Sequence, residues 1–76
     1  MLSIEEIMEN TAVVILEIRG GNTIAQKLRN MGIRVGDNVQ ILQNGTSGPI
    51  ILEKDHSRIA LGRGMSKNIF VGVAHE

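Results

Sequence analysis

Residues 28–37, with the sequence LRNMGIRVGD, decide the fold of this chain because they predict the end of a helix, a turn and the start of a strand. Gly32 has the position of a left-handed residue just past the helix. Ile33 follows it and Leu28 lies one turn before it, which is the hydrophobic pair of a Schellman closure. Gly36 supplies a second residue able to take positive φ before the next strand. Two glycines four residues apart therefore mark a helix-to-strand junction.

A first strand is predicted before this junction. From Thr11 to Arg19 the even positions are apolar, which is typical of a strand with one buried face. That face comprises Ala12, Val14, Leu16 and Ile18. Val13 and Ile15 interrupt the opposite face, and they indicate either cover by the N-terminal segment or a surface for a partner. The even-numbered face is therefore predicted to be the inner one.

Turn residues divide the rest of the chain into further strands. The next three candidates are residues 38–43, 50–54 and 58–61. We expect these three to pair as an antiparallel meander. A glycine-bounded turn over residues 62–68 precedes a final strand, in which Ile69, Val71 and Val73 share one face.

Two capping boxes predict where helices begin. They are formed by Ser3 with Glu6 and by Thr23 with Gln26. The first predicts a short helix from Ile4 to about Met8, and the second predicts the start of the helix that ends before Gly32. In this longer helix an apolar stripe faces the core, and polar residues face outward. The stripe is Ile24, Leu28 and Met31, and the outward set is Lys27, Arg29 and Asn30.

Length and composition bound the fold class. The chain has 76 residues, which is room for one domain over residues 1–76, and 24 of them are Ile, Val, Leu or Phe, enough for a core. We predict a mainly β fold: a small, SH3-like, partly open barrel of about five antiparallel strands. One helix lies between strands 1 and 2, with short helical turns near the N-terminus and before the last strand. Such a small domain leaves about 40% of its unfolded surface exposed, so dimerisation would add stability, and we leave open whether the chain is a monomer or a homodimer.

Composition disfavours several classes of function. Without cysteine there are no disulfides, zinc-finger patterns or thiol nucleophiles. Eight basic and eight acidic side chains cancel, and one Phe without Tyr or Trp offers no stacking platform, so no nucleic-acid partner is expected. The longest apolar run, residues 12–16, is too short to insert into a membrane, and the acidic start does not resemble an export signal. We expect a cytoplasmic protein.

Reactive side chains are few. No serine lies in a G-x-S-x-G elbow, and the glycine loop at residues 62–67 fits no phosphate-binding spacing, so no catalytic residue is assigned and no cofactor is required. The side chains suited to a transition metal are Glu53, Asp55, His56, His75 and Glu76. We take His56, His75 and Glu76 as candidate ligands of a weak, open site for Fe(II), Mn(II) or Zn(II). The alternative is that both histidines are solvated surface residues.

Four blocks of the sequence combine glycine and apolar positions: Leu28 to Gly36, Gly48 to Ile50, Arg58 to Gly62 and Ser66 to Val71. Together these blocks resemble the FeoA family. The resemblance implies a small cytoplasmic SH3-like protein of ferrous iron uptake, similar to the C-terminal domain of DtxR-type repressors. It also implies action together with FeoB, the membrane protein that carries a GTPase domain and the iron path. The chain departs from the family at Glu9-Asn10-Thr11, where a glycine turn is common, and at Ser66, where alanine is common.

The resemblance favours a non-enzymatic accessory or regulatory protein that docks on the cytoplasmic part of FeoB. The predicted docking face is Lys27, Arg29 and Arg34, with nearby apolar surface such as Val13, Ile15 or Leu42. The alternative is that these charges only solubilise the helix. A second hypothesis is a transition-metal-binding or metal-sensing domain whose fold or dimerisation responds to Fe(II). That hypothesis predicts a rise in melting temperature with metal.

Overall fold

A single sheet organises the computed structural model, which describes residues 1–73. Its strands are β1 (Leu2–Ser3), β2 (Thr11–Ile18), β3 (Asn38–Gln43), β4 (Ile50–Lys54), β5 (Ser57–Leu61) and β6 (Ile69–Val73). The helices are α1 (Gly21–Asn30), between β2 and β3, and α2 (Arg63–Ser66), before β6, and a 3₁₀ turn (Ile4–Glu6) follows β1. All neighbouring strands are antiparallel, in the order β1-β6-β2-β3-β4-β5, so β1 and β5 are the edges.

The predicted mainly β fold is confirmed, including a helix after the first long strand and short helical turns near the N-terminus and before the last strand. Strands β3 and β4 have the predicted bounds, and β5 begins one residue earlier than predicted, at Ser57. The addition is β1. Two residues are too few to show alternation in a sequence, so this strand is recognisable only by its pairing with β6.

Two irregularities let the sheet curl around its core. The register between β2 and β6 shifts between Ile15 and Glu17, and the register between β3 and β4 shifts between Ile41 and Gln43. A β-bulge bends its strand and increases the local twist. The inner face consequently encloses a core that is entirely aliphatic.

The helix-to-strand junction has the predicted form. The Ile33 N–H donates to the Leu28 carbonyl at 2.9 Å and the Gly32 N–H donates to the Arg29 carbonyl at 2.9 Å, which are the two hydrogen bonds of a Schellman motif. Gly32 has a φ of +89°, and both Leu28 and Ile33 are fully buried. The Gly36 N–H then donates to the Ile15 carbonyl at 2.7 Å, which joins the junction to β2.

The predicted inner face of β2 is wrong. Val13 and Ile15 are fully buried, whereas Ala12 and Leu16 are exposed. Val13 pairs with Val39 of β3, and Ile15 pairs with Val71 of β6, and these partners are buried too. Both faces of β2 are apolar, so its alternation cannot select the inner face, and pairing with the neighbouring strands selects it. Val13 and Ile15 are core residues and cannot form a docking surface.

The two predicted capping boxes have different outcomes. The first is present, because the Ser3 N–H donates to Glu6 Oε2 at 2.9 Å and the Ser3 side chain caps the turn. This turn stops at Glu6 instead of Met8, since Ile7 has an extended backbone and enters the core. The second capping box is wrong: α1 begins at Gly21, with Gly20 as its N-cap and no side-chain cap. Both glycines have positive φ, so the chain turns from β2 into the helix before it reaches Thr23.

A polar cluster fastens the long β3–β4 loop. Ser66 is the one polar side chain buried among residues 1–73, and its hydroxyl donates to Glu5 Oε2 at 2.8 Å. Arg63 forms an ion pair with the same carboxylate and donates from Nε to the Gly48 carbonyl at 2.9 Å. Asn44 donates to the Glu5 carbonyl at 3.0 Å. The loop is thereby attached to α2 and to the 3₁₀ turn.

Candidate functional site

The basic side chains predicted to dock lie at the C-terminal half of α1 and in the turn after it. Lys27, Arg29 and Arg34 are all exposed, and within residues 1–73 none of them forms an ion pair. The same holds for Arg58 and Lys67. An unpaired positive charge is therefore a property that this surface shares with other parts of the chain, and it does not by itself select a docking face.

Two of the predicted docking residues, Lys27 and Arg29, lie on different sides of α1. Lys27 and Arg29 flank the buried Leu28, and residues two apart on a helix lie about 200° from each other around its axis. Arg29 is held by a hydrogen bond from Nη2 to Gln26 Oε1 at 2.9 Å. The two side chains therefore lie on opposite flanks of the exposed side of α1, and a flat partner contacts one flank more closely than the other.

An apolar residue that the sequence analysis missed lies beside Arg34. Val35 is 59% exposed, between the Schellman closure and Gly36. Leu42, which was predicted as nearby apolar surface, is half-buried on β3. The signal for Val35 is its position between two glycine turns, because a residue at the tip of a tight connection seldom reaches the core.

An acidic residue positions this turn. Asp37 Oδ2 accepts a hydrogen bond from the Arg34 N–H at 2.7 Å and lies 2.9 Å from Lys54 Nζ of β4. Lys54 also donates to the Gly32 carbonyl. Burial alone would raise the pKa of the Asp37 carboxyl, but these two hydrogen bonds and the charges of Lys54 and Arg34 bring it below its ordinary value. The carboxylate thus holds the turn in place while Arg34 and Val35 extend into solvent.

The metal-ligand candidates lie at the same end of β4, directly after Lys54. Asp55 and His56 form a two-residue turn between β4 and β5, with φ of 51° and 69°, and both are exposed. A groove of about 350 Å³ brings these two residues together with Glu53. The remaining candidates, His75 and Glu76, lie outside the described residues. Within residues 1–73, no group of three or more His, Cys, Asp or Glu side chains is arranged to hold a metal ion.

The comparison with known proteins decides the family. The FeoA domain matches residues 2–73 of the chain. The chain belongs to the FeoA domain family. It is 35% identical over 63 residues to a Methanocaldococcus jannaschii protein provisionally named Fe(2+) transport protein A, and this alignment covers 83% of the chain and 76% of that protein. The resemblance found in the sequence is thus confirmed.

Solved structures show the same fold. A crystal structure of an iron uptake regulatory protein (FeoA) superposes with a TM-score of 0.83 and 30% identity, covering 93% of both chains. The Zn²⁺-bound crystal structure of ScaR superposes with a TM-score of 0.87 and 23% identity, covering 97% of this FeoA-domain chain but 37% of ScaR. The second likeness shows the fold alone.

None of the helices within residues 1–73 combines the length and the apolar character needed to cross a membrane.

Proposed function

We propose that this FeoA-domain protein is a non-enzymatic accessory factor of ferrous iron uptake that works in the cytoplasm and docks on the cytoplasmic part of a FeoB-type transporter. Membership of the family supports the role in iron uptake. The observation that carries the docking proposal is the rigid end of α1. There, the Schellman closure and the Asp37–Lys54 contact hold a turn that presents an exposed valine beside an arginine.

The proposed docking surface consists of Lys27, Arg29, Arg34 and Val35. Its composition is typical of a protein-binding site, in which the partner buries a central apolar side chain while the surrounding charges remain partly solvated. Rim charges of this kind mainly accelerate association with an oppositely charged partner. Binding should therefore weaken as salt is added, and the association rate should change more than the dissociation rate.

Charge reversal tests the docking surface. We expect Arg29→Glu combined with Arg34→Glu to reduce capture of the soluble domain of FeoB. The matched control is Lys67→Glu, which changes the net charge as much as Arg29→Glu or Arg34→Glu alone, at an exposed residue elsewhere that forms no ion pair within residues 1–73. Recovery of the partner in equal amounts by the wild type and the first variant would reject the surface.

Single reversals test the two flanks of α1 separately. Because Lys27 and Arg29 face different directions, Lys27→Glu and Arg29→Glu should have unequal effects on the association rate. The variant with the larger effect identifies the flank that approaches the transporter. Equal effects would indicate that the net charge of the helix matters and that no defined face is involved.

A second candidate function is binding of Fe(II), Mn(II) or Zn(II) by a weak, open site. It is favoured by the groove in which His56 lies beside two carboxylate residues. We propose His56, His75 and Glu76 as ligands, with water completing the coordination. Imidazole and carboxylate are suitable ligands for these metals.

Calorimetry and thermal unfolding test the metal proposal. Metal that binds the folded chain should release heat and raise the melting temperature. His56→Asn is a suitable variant, because asparagine tolerates the positive φ of this turn and removes the imidazole. Gln40→Ala, on the same groove, is the control that should keep the response. If none of the three metals produces heat or a thermal shift, the metal proposal is rejected.

A further inference from the structure

The two edges of the sheet differ in how much backbone they offer to another strand. β1 is two residues long. β5 is five residues long, contains no proline, pairs with β4 without a bulge and, among residues 1–73, has a strand on one side only. Natural sheets usually protect an edge with a short strand, charged side chains, proline or a bulge. β1 is protected by its length, whereas β5 has one charged side chain, Arg58, and none of the other devices.

The hairpin turn determines which backbone groups of β5 point away from β4. Asp55 and His56 form a two-residue turn, and the residues on either side of it pair with each other. That closing pair is hydrogen-bonded, and hydrogen-bonded and non-hydrogen-bonded pairs then alternate along the strands. Arg58 and Ala60 are therefore non-hydrogen-bonded toward β4, so their N–H and C=O groups point to the open side of the sheet.

These outward groups belong to two residues that are both exposed, Arg58 and Ala60. No hydrogen bond between described residues joins the backbone of either residue to an element other than β4. On the core side of β5, Ile59 packs against the core but is only half-buried. The edge therefore has unused donors and acceptors together with an apolar side chain that is incompletely covered.

We propose that β5 pairs with β5 of a second copy of this chain, across a two-fold axis beside Ile59. In this register Arg58 lies opposite Ala60 of the partner subunit, and the two residues form a hydrogen-bonded pair. The two Ile59 side chains lie opposite each other at a non-hydrogen-bonded position, where cross-strand side chains approach most closely. Each Ile59 thereby covers the exposed part of the other.

The charges on β5 favour this register over its neighbours. Shifting the pairing toward the turn sets the two Arg58 side chains directly opposite each other, which is destabilising. Shifting it the other way sets the end of each β5 beside α2, whose backbone is helical and cannot continue a ladder. The chosen register pairs the whole of residues 57–61. A two-fold contact is also closed, because each copy uses the one long edge that the sheet of residues 1–73 leaves free.

A single introduced cysteine tests the proposal, because the chain has none of its own. Ile59→Cys places the two sulfurs at facing positions, so mild oxidation should give a covalent dimer. Ala60→Cys is the matched control. In the proposed register the two residue-60 Cα atoms are roughly 8 Å apart, beyond the distance that a disulfide spans. A covalent dimer from Ala60→Cys but none from Ile59→Cys would overturn the register.

Charge substitutions at Ala60 provide a second test that does not disturb the core. Ala60→Glu places an acidic side chain opposite Arg58 of the partner subunit and should tighten the dimer by about 2- to 30-fold, counting both symmetric pairs. Ala60→Arg places like charges there and should loosen it by a similar factor. Sedimentation equilibrium of the full chain over a range of concentrations measures both effects. Equal weakening by both substitutions would overturn the proposal.

Two further outcomes would also overturn it. One is a wild type and an Ala60→Glu variant that both sediment as monomers at every concentration tested. The other is a monomer in which the Arg58 and Ala60 amides become protected from hydrogen exchange only when another protein is added. That second result would assign the edge to a foreign strand.

Discussion

Replacement of Gly32 by alanine tests the junction that ends α1. Gly32 has a φ of +89°, and no atom lies within 4 Å of the position that a Cβ would take, so the cost arises from the backbone alone. A left-handed conformation costs an L-residue about 1–2 kcal/mol, and the reduced freedom of the unfolded chain offsets about 0.4–1 kcal/mol of this. We expect a net loss of about 0.5–1.5 kcal/mol, which lowers the melting temperature by about 2–12 °C for a chain of this size.

Gly64→Ala is the matched control for this prediction. Gly64 lies in α2, its φ is not positive, and no atom lies within 4 Å of the position of its Cβ either. There the same substitution should stabilise the fold by about 0.5–1 kcal/mol, because alanine is the better helix former. Thermal and urea unfolding followed by circular dichroism measure both variants. If the two substitutions shift stability equally, the reasoning from the sign of φ is refuted.

Three further predictions concern the acidic residue at the junction, the polar cluster and the inner face of β2. Because the pKa of Asp37 is lower in the folded chain than its ordinary value of 3.8, the ionised carboxylate contributes to stability. This contribution is present above pH 3.8 and is lost as the pH falls through the folded pKa. Asp37→Asn should therefore flatten the acid limb of a pH–stability curve. Ser66→Ala removes the hydroxyl that donates to Glu5 and should cost about 1–3 kcal/mol in urea unfolding. Val13→Ala should lower the free energy of unfolding by at least about 1.5 kcal/mol, since it deletes two buried methyl groups. The adjacent Val14→Ala should lower it by less than half as much, and equal losses would contradict the assigned inner face.

The features that could be predicted from the sequence are those that depend on a few neighbouring residues. The Schellman closure at Gly32 involves residues within one turn of the helix. The bounds of β3 and β4 follow from the loop residues between them. Each of these patterns has one physical solution that does not depend on the rest of the chain, so the prediction and the structure agree.

The features that could not be predicted depend on partners that are distant in sequence. Both faces of β2 are apolar, so the choice of Val13 for the core is made by its pairing with β3 and β6. Thr23 has a capping-box spacing, yet two left-handed glycines start α1 earlier. The contact between Asp37 and Lys54 joins positions that no local pattern relates. The types of side chain were therefore enough to predict the basic surface. Its division between two flanks of α1, and the contact that holds the turn after α1, could be seen only in the folded structure.

Val35 and Leu16 are both exposed apolar side chains, but their surroundings predict different roles. Leu16 is 44% exposed, yet a Cβ on Gly72 would stand 3.0 Å from its Cδ1, so Leu16 covers the backbone of β6. Val35 is 59% exposed and lies next to Arg34, in the turn held by Asp37.

We therefore expect Val35→Ser to keep the melting temperature within about 4 °C of the wild type. The same variant should weaken capture of the FeoB soluble domain by about 5- to 30-fold, because this solvated side chain contributes to binding only when a partner covers it. Leu16→Ser should do the reverse, lowering stability and leaving capture unchanged, because its contacts lie within its own chain. Full binding by the Val35 variant would remove the turn from the docking surface. Loss of binding by a stable Leu16 variant would instead place docking on the outer face of β2. Leu16 would then contact the transporter in addition to covering the backbone of its own chain.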